Sequence, residues 1–261
     1  MKKLFTPIPA ALMLSALLAG CGGKTETPTS TTPEGPPKQQ AEELKGPEKT
    51  VEFVVFMGAG GDTDFNARAY TQYLPDILGK DVIVTNIAGS GGALGSEEAK
   101  NADPDGYRFL FGHTCFTLNQ VTGITDYGVD AFEVVCCAGV SAGEVFVGTV
   151  QDYVVTGEFK YLATTATERL PFLPDVPTCV EQGMDALVYD LTYYVLAPKE
   201  TPGEICDKLC SAMKQISEMP EYAQYIKDGY NQTVHFLERE EAESFIQAEY
   251  EKMSVYSDYF Q

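Results

Sequence analysis

Val51-Glu52-Phe53-Val54-Val55-Phe56 is an almost unbroken apolar, β-rich run, closed by the glycine loop Gly58-Ala59-Gly60-Gly61. Such a run between turn signals predicts a buried strand. Asp62 or Thr63 then stands where a helix cap belongs, and Phe65, Ala69, Tyr73 and Ile77 recur every fourth residue with Leu74 and Leu78 alongside. That spacing predicts a helix, ended by Gly79. Val82-Ile83-Val84 predicts a second strand, Gly89-Ser90-Gly91-Gly92 a second glycine loop, and the following stretch a helix through Glu97 and Ala99. Pro104-Asp105-Gly106 is a turn. Tyr107 to Phe111 predicts a third strand, ending at Gly112-His113-Thr114. Strand, glycine loop, helix and strand again is the grammar of an α/β fold with a parallel sheet. Ligands of such sheets sit at the carboxyl ends of the strands, where these loops lie.

The second half is less regular. Glu133 to Val140 reads as a strand, Phe159 to Thr165 as strand-like, and Leu170 to Thr178 as a proline-punctuated loop. Ala186 to Ala197 is mostly β. Thr201-Pro202-Gly203-Glu204 opens an amphipathic helix to Met219, a further helix covers Glu221 to Asp228, and a long acidic one runs from Glu238 to Tyr256. In the last, Ala242, Phe245, Ile246, Tyr250 and Met253 keep helical spacing.

The amino terminus changes the picture. Lys2 and Lys3 precede an apolar run too short to span a bilayer, and Leu18-Ala19-Gly20-Cys21 ends it in the pattern of a bacterial lipobox. The expectation is a lipoprotein signal peptide over 1–20, cut before a lipid-bearing Cys21. Acyl chains there gain about 0.8 kcal/mol per buried CH₂. Residues 21–49, rich in Gly, Thr, Pro, Glu and Lys, read as a lipid-anchored flexible linker. The formal net charge is −20, and the only arginines are Arg68, Arg108, Arg169 and Arg239. Nucleic acid is thereby excluded as a partner, because phosphate backbones demand clustered basic side chains. Cys115, Cys136, Cys137, Cys179, Cys206 and Cys210 read first as small buried hydrophobes, with disulfides second and metal ligation third. No metal or other cofactor is expected.

Five ordered stretches resemble one family. They are Gly60-Gly61-Asp62-Thr63-Asp64 with Ala67-Arg68; Asn86-Ile87-Ala88-Gly89-Ser90-Gly91-Gly92-Ala93-Leu94-Gly95; Pro104-Asp105-Gly106-Tyr107; Leu173-Pro174-Asp175-Val176-Pro177-Thr178 with Glu181 and Gly183; and Ala197-Pro198 with Thr201-Pro202. Together they resemble the substrate-binding (TctC/Bug-type) proteins of tripartite tricarboxylate transporters. The resemblance implies a periplasmic-binding-protein-like (type II) α/β fold of two lobes with parallel-type sheets. It implies an extracytoplasmic, membrane-anchored monomer that captures small organic acids, di- or tricarboxylates, for membrane permease subunits. A ligand-sensing module not coupled to transport fits the same residues. Phe56 and Met57 replace the family's usual proline and aromatic before the first glycine loop. After Glu144-Val145-Phe146-Val147 the chain passes almost directly to Tyr153–Lys160, so about two βα units, roughly 60–80 residues, are missing from the second lobe. The division is then 50–137 for the first lobe, 138–189 for a reduced second lobe, and 190–261 returning to the first.

A carboxylate ligand needs donors, and arginines are scarce here. Backbone N–H groups of a glycine loop at a helix start are the alternative. The expected ligand contacts are therefore Gly58, Ala59, Gly60, Gly61, Asp62, Thr63 and Asp64. Asp64 accepts from a hydroxyl or water, or only orients the loop; Arg68 lies on the surface or braces the loop. His113 and Thr114 end a strand on the cleft side, and Tyr193 lines the cleft or the core. An enzyme is not expected. Gly139-Val140-Ser141-Ala142-Gly143 matches the G-x-S-x-G of serine hydrolases, but Glu144-Val145-Phe146-Val147 reads as β rather than as the helix that a nucleophile elbow requires at that point.

Overall fold

The computed structural model describes residues 47–141 and 161–260. The leader, Cys21, most of the tether and the stretches Glu144–Val147 and Tyr153–Lys160 lie outside these. Five strands form one sheet in the order β2-β1-β3-β5-β4, with β1 Val51–Val55, β2 Val82–Asn86, β3 Arg108–His113, β4 Phe132–Ser141 and β5 Leu191–Pro198. β1 pairs parallel with β2 and β3, as the strand–loop–helix repeat requires. β5 enters between β3 and β4 and runs antiparallel to both. All eight residues of β5 are buried, which is the burial of an interior strand with helices on both faces.

Alternation along the strands sorts two apolar layers. Phe53, Val55, Phe111, Tyr193 and Val195 face one core, with Ala67, Tyr70, Leu74, Leu209, Met213 and Ile226 from four helices. Those helices are α1 Asp62–Thr71, α2 Leu74–Leu78, α5 Gly203–Ser217 and α6 Pro220–Tyr230. Val54, Phe56, Leu110, Tyr194 and Leu196 face the other core, with Ala99, Phe116, Ala242 and Ile246. These come from α3 Ala93–Lys100, α4 Cys115–Val121 and α7 Arg239–Ser254.

Four details differ from the sequence reading. The first helix is two: α1 stops at Thr71, and α2 starts with Pro75 in its first turn, where a missing N–H is harmless. Gly61, not Asp62 or Thr63, is the N-cap of α1. Of the strand-like stretch, Phe159 and Lys160 lie outside the described residues, 161–163 are irregular, and Thr164 makes a single parallel bridge to Thr178. Glu48 and Lys49, counted in the tether, already meet the body: Glu48 N donates to Tyr107 Oη at 3.0 Å, and Lys49 Nζ lies 4.7 Å from the Tyr107 ring centroid.

The proline-rich loop is held by local chemistry. Glu181 N donates to Thr178 Oγ1 (3.1 Å) and Thr178 N donates to Glu181 Oε2 (2.9 Å), a reciprocal capping pair. Arg169 bridges Glu181 and the Pro174 carbonyl. None of the six described cysteines is in a disulfide, and five of them are buried. Cys136 packs its sulfur 3.8 Å from Met213.

Candidate functional site

β1 and β3 are neighbours and parallel, so the loop after Val55 and the loop after His113 emerge side by side at one end of the sheet. Antiparallel β5 brings Tyr193 opposite His113 at that end, and β4 finishes there with Ser141 opposite Leu191. The site is built from these chain ends.

In the glycine loop, Gly61 N reaches Gly58 O at 3.4 Å, and Gly60 has φ +82°, a left-handed conformation that suits glycine. A Cβ at Gly58 or Gly60 would meet nothing within 4 Å, so the loop faces open space. Its underside is fixed by Asp64. One oxygen accepts from Gly60 N and Arg68 Nε, both at 2.9 Å, and the other accepts from Asn86 Nδ2 at 3.0 Å. Asn86 Nδ2 also donates to Met57 O. Burial pushes the Asp64 carboxyl up, but the bonds from Arg68, Gly60 and Asn86 outweigh it and hold it below the usual carboxylate range. From the outside, Tyr230 Oη donates to Gly60 O at 3.3 Å, and Phe65 stacks on Tyr225.

Asp62 opens α1. Its Oδ1 accepts from Thr63 N (2.7 Å) and Thr63 Oγ1 (3.2 Å), and its Oδ2 accepts from Tyr193 Oη (3.0 Å). The Tyr193 oxygen accepts in turn from Gln232 Nε2 at 3.1 Å. His113 is 5% exposed and packs edge-on against Phe56, ring centroids 4.9 Å apart. Its Nδ1 accepts from Cys115 N at 3.2 Å, which leaves the proton on Nε2. Burial pushes the imidazole down to about 4, with the Asp62 charge pulling the other way, so His113 is a neutral N–H donor near pH 7.

The expected contacts thus fall into two groups. Gly58, Ala59, Gly60 and Gly61 are exposed, Asp62 is half-buried, and His113 keeps Nε2 without a partner among the described residues. Thr63, Asp64, Thr114 and Tyr193 are buried with their polar atoms engaged by the chain, which makes them supports in this geometry rather than an open lining. Thr114 Oγ1, for example, accepts from Thr192 N at 2.9 Å and so ties the end of β3 to β5. Sequence reading missed Asn86, Gln232 and Tyr230. Asn86 heads the second glycine stretch, which signalled it; Gln232 and Tyr230 carry no local signal. Ser141 is a paired strand residue, and no hydrogen bond joins it to His235 among the described residues.

Comparison with known proteins places these features in context. The profile of the Tripartite tricarboxylate transporter family receptor (TctC) matches residues 128–256. A UPF0065 protein of Agrobacterium vitis is 26% identical over an alignment that takes in 67% of this chain and 73% of the relative. That alignment spans 252 positions, whereas 67% of 261 residues is about 175, so about 77 positions of the relative have no counterpart here. Among solved structures, a periplasmic transporter superposes with a TM-score of 0.71 at 20% identity, covering 81% of this chain and 97% of that one. MatC from Rhodopseudomonas palustris, with bound malate, gives 0.69 at 21% identity, covering 82% and 100%.

Proposed function

We propose that this chain, whose residues 128–256 match the tripartite tricarboxylate transporter family receptor, is a solute-binding protein of that family, and that it captures small organic acids outside the cytoplasm and delivers them to a membrane permease without transforming them. The observation that carries the reading is the open glycine loop lying beside His113 at the carboxyl end of two adjacent parallel strands. We assign solute contact to Gly58–Gly61, Asp62 and His113, with Thr63, Asp64, Thr114 and Tyr193 positioning them. The malate in MatC supports carboxylates as the solute class. The chain enters the region of the second lobe after Ser141 and leaves it before Leu191, both at the site end of the sheet. With a second lobe reduced to 138–189, the cleft closes incompletely over its solute. Closure excludes water and shares affinity between two faces, so a one-sided cleft binds weakly.

Thermal unfolding against a panel of mono-, di- and tricarboxylates and amino acids tests this. A solute with a dissociation constant of about 1 mM, supplied at about 10 mM, stabilises the native state by about 1.4 kcal/mol, or about 3–6 °C for a domain of this size. No shift with any acid would end the acid-binding reading. Micromolar binding, about −8 kcal/mol or better, would end the one-sided cleft.

We further propose that Cys21 carries the lipid anchor. Cys21→Ser is expected to release the chain from membranes or leave it unprocessed, read by fractionation. A variant that is cut to the mature length and still sediments with membranes like its parent would refute the anchor.

A further inference from the structure

The donors that make a glycine loop an anion cradle are partly taken by this chain's own carboxylates. Gly60 N is held by Asp64 and Thr63 N by Asp62. Asp64 is 4% exposed and saturated by Gly60, Arg68 and Asn86. Asp62 is different. It is half-buried at the mouth of the loop, it stands at the positive end of α1, and its neighbours Thr63 and Tyr193 supply hydrogen bonds without a countercharge. Each is a neutral donor, and the arginine of α1, Arg68, is spent on Asp64 and Asn86. A ligand carboxylate placed on this helix start would meet Asp62 as a like charge in a partly desolvated setting, where repulsion is strong. A ligand ammonium or amide would meet an oriented acceptor. The second polar group of the site has the opposite character. His113 is almost wholly buried, its Nδ1 is occupied by Cys115 N, and its Nε2–H has no acceptor among the described residues. In the strand register it stands opposite Tyr193, whose hydroxyl is bonded to Asp62. One acceptor and one donor therefore share the site.

We propose that Asp62 determines specificity, selecting acids that present an ammonium or amide end to the glycine loop while their carboxylate takes the His113 Nε2–H. This rests on the assignment of the site made above. The class is zwitterionic or amide-bearing small acids, with plain dicarboxylates disfavoured.

Calorimetric titration with succinate, its isosteric half-amide succinamate, and 4-aminobutyrate tests it. In the wild-type protein, succinamate and 4-aminobutyrate are expected to bind at least tenfold more tightly than succinate. In Asp62→Asn, whose one carbonyl oxygen keeps an acceptor for Thr63 N–H, and in Asp62→Ser, the preference for 4-aminobutyrate is expected to vanish and succinate to gain tenfold or more. Equal binding of all three by the wild-type protein, or a ratio that the substitutions leave unchanged, overturns the proposal while leaving acid capture standing. Failure of all three to bind any form overturns the site assignment and the proposal with it. The wild-type ratio is read without any variant, so a substitution that failed to fold would not shield the idea.

Discussion

Gly95→Ala is expected to destabilise the protein by about 3–5 kcal/mol, a large share of the roughly 5–15 kcal/mol that usually holds a domain together. The direction is opposite to the ordinary rule. Gly95 lies inside α3, and alanine in a helix interior normally gains up to about 1 kcal/mol over glycine. Here a Cβ would lie 2.5 Å from the Ile87 carbonyl oxygen and 2.8 Å from Phe56 Cα. Both are backbone atoms, so no rotamer change relieves the overlap; α3 must move off the sheet, or β1 must shift. Phe56 is fully buried and belongs to the core that α3 covers, so either movement opens a void beside it. Urea unfolding should show the midpoint falling with an unchanged slope. Gly58→Ala, where a Cβ meets nothing within 4 Å, is the control and should leave stability within about 0.5 kcal/mol. A Gly95 variant as stable as that control would show that the close packing of α3 on β1 is not what the glycine is for.

That contrast also explains what was readable from sequence. Both glycine stretches announced loops between strands and helices, and both are there. What sequence cannot show is that they serve different ends. Gly58 and Gly60 face open space, whereas Gly92 and Gly95 are pressed against Phe56. The difference depends on which way each loop turns relative to β1, a property of the assembled sheet. Strands β1 and β3 were legible because buried parallel strands are continuous apolar runs, and the edge strand β2 because Val82-Ile83-Val84 is β-branched throughout. The place of β5 between β3 and β4 was not, because its partners lie about 80 and 60 residues away in the chain and pairing over such distances leaves no local mark. Helix α4 escaped notice for a related reason. Cys115–Val121 has seven residues, of which Phe116, Thr117, Asn119 and Val121 are buried, too short and too mixed for an apolar helical period to declare itself. At the site, Asp64 with Arg68 four residues on was legible as a brace. Its third partner, Asn86, and the link from Asp62 through Tyr193 to Gln232 join residues far apart in sequence and emerge only with the fold.

The stability of the chain is expected to respond to pH through a half-buried and a buried group of opposite sign. Glu249 lies on α7 and accepts a hydrogen bond from Tyr194 Oη of β5. Burial pushes its carboxyl up to about 7, Asp190 adds to the rise, and Tyr194 and Lys252 pull against it. Tyr194 is itself driven far upward by burial and by Glu249, so it stays a phenol and keeps donating throughout. In the unfolded chain a glutamate titrates near about 4.3. The folded protein therefore holds this proton where the unfolded chain has lost it, and the stabilisation, full at low pH, is lost as pH rises from about 4.5 through 7. At about 1.36 kcal/mol per pKa unit the loss amounts to about 3 kcal/mol. His113 does the reverse. Its folded value of about 4 lies below the ordinary 6.5, so acid charges the unfolded chain first and stability is lost as pH falls from about 6.5 towards 4. Over about pH 4.5–6.5 the two slopes oppose each other and the wild-type profile is expected to be nearly flat across that window. Glu249→Gln keeps an acceptor for Tyr194 but removes the proton. It should unmask the His113 slope, with stability rising by about 3 kcal/mol between about pH 4.5 and 6.5, and it should exceed the wild-type protein by up to about 3 kcal/mol at about pH 8 while differing little at about pH 4.5. Urea midpoints of the two proteins at about pH 4.5, 6 and 8 read this directly. Parallel profiles would mean that Glu249 ionises in the folded chain as freely as in water, and that the contact between α7 and β5 holds no proton at all.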